Sequence, residues 1–202
     1  MTIWRGQHPP ILASQSTARK SLLAHAGLVV EAIPANIDER VIQQKAGLIN
    51  PADIAMLLAG EKAKHVSAAN PDRYVIGADQ TLALGERLFS KPANRGAAAD
   101  QLAALGGQTH TLHSAVSVVR EGQLLFSQVG GARMTMRKLS AAEVASYLDA
   151  AGAVVMTSVG AYQIEGVGIN LFERIEGDNF TIMGLPLLSL LEFFRSQNLL
   201  SV

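Results

Sequence analysis

Tyr74 to Pro92, YVIGADQTLALGERLFSKP, is the stretch on which the reading of the fold turns. Tyr74-Val75-Ile76 is a β-branched and aromatic run of the kind that forms a buried strand. Gly77-Ala78 removes side-chain bulk, so a backbone or a ligand can approach closely. Asp79 follows where the strand is expected to end. There it is either a turn former or a functional carboxylate at a strand's C-terminal edge, where open α/β sheets bind ligands. Twelve residues on, Lys91-Pro92 supplies a cation with a rigid residue behind it.

Upstream, Pro51 to about Ala68 reads as a helix whose buried side is set by Ile54, Leu57 and Leu58. Glu61 and Lys62 fall on or beside that side, as the wall of a site or as a salt bridge at the helix end. Leu28 to Ile33 is a strand candidate leading into Asn36-Ile37-Asp38-Glu39-Arg40, an acidic pair in a loop. Pro10 to Ala13 reads as the first strand. Ser14-Gln15-Ser16-Thr17 then offers hydroxyls where a helix starts, and the helix runs to about Ala26 with Gly27 as its stop. Arg19 falls on the apolar arc of that helix, between Leu22, Leu23 and Ala26. Its guanidinium either snorkels to solvent or finds an anion or a pocket at the helix end.

Downstream, Asn94 to Leu105 is Ala-rich and helical, and Gly106-Gly107 ends it. Thr109 to Val119 alternates as a long strand. Arg120-Glu121-Gly122-Gln123 is a hairpin turn, Leu124 to Phe126 returns, and Val129 to Arg137 reads as another strand. Ser140 with Glu143 makes a capping box that opens a helix to about Ala151. A Gly-punctuated segment follows, and Pro186 to about Arg195 is the last helix. No repeats or low-complexity linkers occur. The plan is one mixed α/β domain with two lobes around a cleft.

With 49% hydrophobic and 17% charged residues among 202, the chain can build a sizeable core. Seventeen basic residues balance seventeen acidic ones, so no global field gathers nucleic acid or an anionic membrane, although a local cationic pocket remains open. Cysteine is absent, which excludes disulfides and thiolate metal sites. MTIWRGQHPP has no apolar core of signal-peptide length, and no apolar run approaches the ~18 residues of a membrane span. The expectation is a soluble cytoplasmic protein. There is no Walker loop, no dinucleotide-binding glycine fingerprint and no nucleophile elbow. His110 and His113 point to opposite faces of a strand and read as structural. Any metal would be held by carboxylates and substrate phosphates, which suits magnesium or manganese.

Taken together, these segments resemble the Maf family of nucleotide pyrophosphatases from about Ile11 to Leu191. The pieces are LASQSTARKSLL (Leu12 to Leu23), Asp38-Glu39, Glu61-Lys62-Ala63, VIGAD (Val75 to Asp79), Lys91-Pro92, Gly107 with His110, GAYQIEG (Gly160 to Gly166) and GLPL (Gly184 to Leu187). Their order and spacing are specific in combination. The resemblance implies a single domain over residues 1–202, built on an elongated mixed β-sheet with flanking helices and similar to inosine triphosphate pyrophosphatases. It implies a hydrolase acting on phosphoric anhydride bonds, which cleaves a nucleoside triphosphate to the monophosphate and pyrophosphate with a divalent cation, often as a homodimer. Carried onto this sequence, the functional positions are Ser14, Ser16, Arg19, Glu39, Lys62, Asp79, Gln80 and Lys91, while Glu165 stands where Gln is usual.

The chemistry fits those positions. Arg19, Lys62 and Lys91 can supply cations to a triphosphate, Arg in bidentate fashion and Lys as a point charge. The first helix's N-terminus, with Ser14 and Ser16, suits phosphate. Asp79 is the base or metal-linked water activator and Glu39 the metal ligand or its partner, roles that could be exchanged. The chain departs from the family's S-P-R-R, which is Ser16-Thr17-Ala18-Arg19 here, and from G-K-P, which is Ser90-Lys91-Pro92. Glu165 adds negative charge near a polyanion unless it binds metal. Ala18 and Gln80 resemble the branch that cleaves 7-methyl-GTP more than the branch that cleaves dTTP and UTP, although Ala18 lacks the aromatic ring typical there. The alternatives are a dTTP/UTP pyrophosphatase, a catalytically weak nucleotide-binding regulator of cell division, and a broader house-cleaning enzyme.

Overall fold

The computed structural model describes residues 2–202; Met1, the first residue of the stretch read for a leader, lies outside them. In chain order the described residues form β1 (Ile11–Leu12), α1 (Thr17–His25), β2 (Glu31–Ala32), α2 (Glu39–Ala46), α3 (Pro51–Ser67), β3 (Val75–Leu84) and β4 (Arg87–Phe89). Then come α4 (Arg95–Leu105), β5 (Thr109–Arg120), β6 (Gln123–Met136), α5 (Ala141–Ala151), β7 (Phe172–Glu176), α6 (Asn179–Ile182) and α7 (Leu187–Ser196). The strands make one sheet in the order β2-β1-β3-β5-β6-β7, with β4 paired to β3. It is mixed: β1 runs parallel to β2 and β3, while β4 is antiparallel to β3 and β7 to β6. This is the mixed α/β class expected, with helices flanking the sheet. No helix among the described residues is long and apolar enough to cross a membrane.

The chain divides into two compact units. The first comprises Met1–Asp79, Ser114–Gly130 and Gly184–Val202, and the second Gln80–His113 and Gly131–Met183. In the first unit Ile11, Ala13, Ala35, Ala63, Val66, Val75 and Val119 form one buried cluster, and Ala55, Ala59 and Ala115 another. The alanines are small because α3 lies very close to the sheet. In the second unit the core gathers Leu82, Leu102, Leu112, Met134, Leu148 and Tyr162 with their neighbours. His110 is buried there, with Nε2 2.7 Å from the Tyr162 hydroxyl. Burial pushes its pKa down to about 4, so it stays neutral, as a structural histidine should.

Several expectations hold. Ser140 and Glu143 form the capping box: the Ser140 hydroxyl accepts from the Glu143 N–H, and the Glu143 carboxylate accepts from the Ser140 N–H. Helix α4 begins after an Asn94 cap and β5 spans the alternating run. Others do not. Strand β3 runs ten residues rather than three, so Asp79 sits inside a strand and not past its end. All but Gln80 and Leu84 of β3 are buried, and a strand covered on both faces has no alternation to reveal it. The Asp38-Glu39 pair is not in a loop: Asp38 caps α2 by accepting from the Val41 N–H, and Glu39 is the helix's first residue. The two strands read around Phe126 and Arg137 are one, β6, continuous through Gly130-Gly131. Of Leu28 to Ile33 only Glu31–Ala32 is strand.

Gly77 has the least room of the described glycines. A Cβ there would stand 2.0 Å from the Ala59 carbonyl oxygen and 2.8 Å from the Ala63 nitrogen, both in α3. The backbone approach that Gly77-Ala78 foreshadowed is therefore the approach of a helix. Gly77→Ala is expected to lower stability by about 1–3 kcal/mol, the usual cost of overpacking. Urea denaturation followed by Trp4 fluorescence measures it, since the chain's one tryptophan packs edge-on against Tyr74 and Phe194 in the same unit. An unchanged midpoint would refute the close contact.

Candidate active site

Side chains on a strand alternate, so Gly77 and Asp79 face the same way. Gly77 admits α3, and two residues on Asp79 meets that helix's one approaching cation. Ala59 and Ala63 are the α3 residues over Gly77. Lys62, one position before Ala63, reaches along β3 to place Nζ 2.6 Å from Asp79 Oδ1. The same Nζ is 2.7 Å from Glu39 Oε1 at the start of α2. One ammonium thus donates to two carboxylates. The Lys62 and Asp79 side chains keep only 12% and 9% of their surface exposed, whereas Glu39 keeps 50%, so the triad has a wet end at Glu39. Lys62 is thus in ion pairs with Asp79 and Glu39, and Glu61 pairs with Lys64 on the helix surface.

Arg19 approaches the same strand from α1. Ser16 caps that helix by accepting from the Arg19 N–H at 3.3 Å. The Arg19 guanidinium neither snorkels nor meets a carboxylate directly. It donates to the Gly184 carbonyl at 2.8 Å, the Ala78 carbonyl at 2.9 Å and the Ser14 hydroxyl at 3.2 Å. Ser14 Oγ also accepts from the Ser16 N–H. The guanidinium therefore ties the start of α1 to the residue before Asp79 and to the turn before α7. Gly184 has φ +95°, a conformation that side-chain-bearing residues rarely adopt, and a Cβ there would lie 3.2 Å from Arg19 Nε.

Ser14, Ser16, Arg19, Glu39, Lys62 and Asp79 all belong to the first unit, and Gln80, Lys91 and Glu165 to the second. The Gln80 amide donates to the Thr181 and Ile182 carbonyls at 3.3 and 3.0 Å, which ties α6 to β3. Lys91 is exposed in the coil after β4, and Glu165 is exposed in a turn. The sequence reading missed the backbone acceptors of Arg19, because carbonyl directions leave no trace in residue types. It also missed the helical start at Glu39. The signal was present there: Asp38 before Val41-Ile42, closed by Gly47, is a capped helix.

Burial pushes the Asp79 carboxyl above its ordinary pKa; Lys62 and Arg19 pull it part of the way back, and Glu39 adds to the rise. Burial likewise lowers the Arg19 pKa, against the attraction of Asp79 and Glu39. As possible metal ligands, Glu39 and Asp79 are hard oxygen donors. No group of three His, Cys, Asp or Glu able to hold an ion occurs among the described residues. Two carboxylates suit magnesium or manganese that completes its shell with phosphate oxygens and water, and do not suit a closed structural site.

The raised Asp79 pKa has a definite sign in stability. The folded state holds this proton more tightly than the unfolded one, so the contribution is full below the unfolded value of about 4. It is lost as pH rises through the folded value. Denaturation at stepped pH should therefore show wild type losing stability relative to Asp79→Asn as pH climbs from about 4. A constant or opposite difference would refute the raised pKa.

The sequence profile described as Maf-like protein matches residues 9–197. The chain is 63% identical over 202 residues, the full length of both, to a Bradyrhizobium diazoefficiens protein named nucleoside triphosphate pyrophosphatase. A Rhodopseudomonas palustris protein of the same name is 61% identical over the same full span. A Mesorhizobium japonicum protein named 7-methyl-GTP pyrophosphatase is 51% identical over 189 residues, 92% of this chain and 94% of that one. With a profile match over nearly all its residues and full-length relatives at such identity, the chain belongs to the Maf-like protein family.

Proposed function

We propose that the chain is a nucleoside triphosphate pyrophosphatase that hydrolyses its substrate to the monophosphate and pyrophosphate. The observation that carries this reading is Lys62 held between Asp79 and Glu39, at family positions, with Arg19 bound to the residue before Asp79. The names of the full-length relatives support it.

Hydrolysis of the anhydride bond between the α- and β-phosphates, in which water attacks phosphorus and the bridging oxygen leaves, needs a proton acceptor for the water and cations for the charge on the phosphate oxygens. Asp79 is the acceptor. Lys62 beside it favours the ionised form that a base requires. Lys62, with one N–H beyond the two it donates, supplies positive charge to phosphate. The free N–H groups in the first turn of α1 add a partial positive charge. Glu39 and Asp79 would hold a divalent cation, magnesium or manganese, which supplies charge neutralisation and an acidified water when bound. The substrate roles of Lys91 and Glu165 rest on family position alone. The whole chain acts as one domain, in the cytoplasm and as a homodimer, in the house-cleaning of nucleotide pools.

For the base, the pairing of Gln80 with Ala18 and the 7-methyl-GTP pyrophosphatase among the relatives support a modified purine. Gln80 spends its amide N–H groups on α6, so its influence on specificity runs through the placement of that helix as well as through direct contact.

Asp79→Asn is expected to abolish pyrophosphate release while the protein remains folded. A folded variant that keeps more than about a tenth of the rate, a loss of only ~1.4 kcal/mol, would remove Asp79 from the chemistry. In a panel with magnesium or manganese, kcat/KM should be highest for 7-methyl-GTP, ahead of GTP, dTTP and UTP. A preference for dTTP or UTP would reject the purine assignment and leave the reaction class standing.

A further inference from the structure

Lys62 sits where its charge is most constrained. Two of its three N–H groups are spent on Glu39 Oε1 and Asp79 Oδ1, at 2.7 and 2.6 Å. These are the two carboxylates that, on the reading above, hold a divalent cation. The ammonium, on one oxygen of each carboxylate, and a metal ion draw on the same two negative charges and repel each other. With the ammonium in place one positive charge is shared by the two carboxylates, and the nearly buried Asp79 has a hydrogen-bonded partner. Moving Lys62 away with nothing to replace it would leave the nearly buried Asp79 without its hydrogen-bonded cation, with only the more distant Arg19 to offset its charge and that of Glu39 beside it.

A hard divalent ion arriving alone meets the repulsion of this ammonium and gives up part of its hydration shell for two carboxylates whose charge is already shared. A triphosphate changes the balance on both sides. It offers Lys62 other anionic oxygens, so the ammonium can leave without losing its charge-assisted bonds. It also offers the metal the further oxygens that the protein lacks. We propose that Lys62 is the resident counter-cation of the Glu39–Asp79 pair and excludes divalent metal from it until a nucleotide's phosphates draw the ammonium away. The proposal rests on the metal-assisted pyrophosphatase reading. It makes metal and nucleotide binding mutually reinforcing: each strengthens the other by the same factor.

The test is Mn2+ binding to the protein without nucleotide, followed by the paramagnetic resonance of free Mn2+. Lys62→Met keeps length and removes charge, and Lys62→Gln is a second neutral variant; Trp4 fluorescence reports that each is folded. Both neutral variants are expected to bind Mn2+ at least about tenfold more tightly than wild type. Adding Glu39→Gln to Lys62→Met should cancel the gain. Equal or weaker Mn2+ binding by the folded variants overturns the proposal.

Wild type alone supplies a second result that can overturn the proposal. Its Mn2+ affinity should be at least about tenfold lower without nucleotide than with the α,β-methylene analogue of GTP, and equal affinities overturn the proposal. The analogue separates the two levels of failure. If Mn2+ strengthens analogue binding but the neutral variants gain no Mn2+ affinity, Lys62 is not the gate and the metal-assisted reading stands. If Mn2+ leaves analogue binding unchanged, the metal role of Glu39 and Asp79 falls, and the proposal with it.

Discussion

The contact of α3 with β3 at Gly77 is the constraint on which the first unit depends. A helix lies this close to a strand only where the strand has no side chain and the helix presents alanines. Ala59 and Ala63 line the approach, and their small volume leaves little room for adjustment. Asp79 follows Gly77 on the same face, so the close approach also sets the distance from Lys62 to Asp79. Packing and chemistry are thus two results of one backbone contact.

Charge at the site follows from that geometry. The chain as a whole is neutral, with seventeen residues of each sign. Around Asp79, two cations from different helices oppose the cost of burying one carboxylate. Lys62 does so by direct hydrogen bonding. Arg19 does so through space, by charge alone, while its guanidinium donates to the Ala78 carbonyl. Dividing the work this way leaves the Lys62 ammonium able to change partners, because a flexible stem carries it. The Arg19 guanidinium is anchored at three points and holds the backbone still. The lysine is suited to a moving charge, and the arginine to a fixed one.

Polar side chains here act on backbone as much as on each other. Arg19 bonds two carbonyls and Gln80 bonds two more. Both are adjacent in space or in sequence to Asp79, and both secure the segments that flank it. A substitution at either position therefore changes the placement of Asp79 as well as any contact made directly with a ligand, and the two effects are told apart by comparing stability with turnover.

The mixed α/β class, the boundaries of α3, α4 and α5, and the identity of the charged residues were legible in the sequence alone. Local signals carry these: Asn94 and Ser140 caps, a proline in the first turn of α3, glycines at helix ends and alternation in β5. The full length of β3 was hidden, because a strand buried on both faces need not alternate and can hold Gly, Ala, Asp, Gln and Thr in its middle. The continuity of β6 was hidden by Gly130-Gly131, which reads locally as a break. What only the tertiary structure decided is the partnership of the charges. Glu39, Lys62 and Asp79 come from two helices and a strand, and residue spacing contains nothing about which oxygen an ammonium will meet once those elements pack.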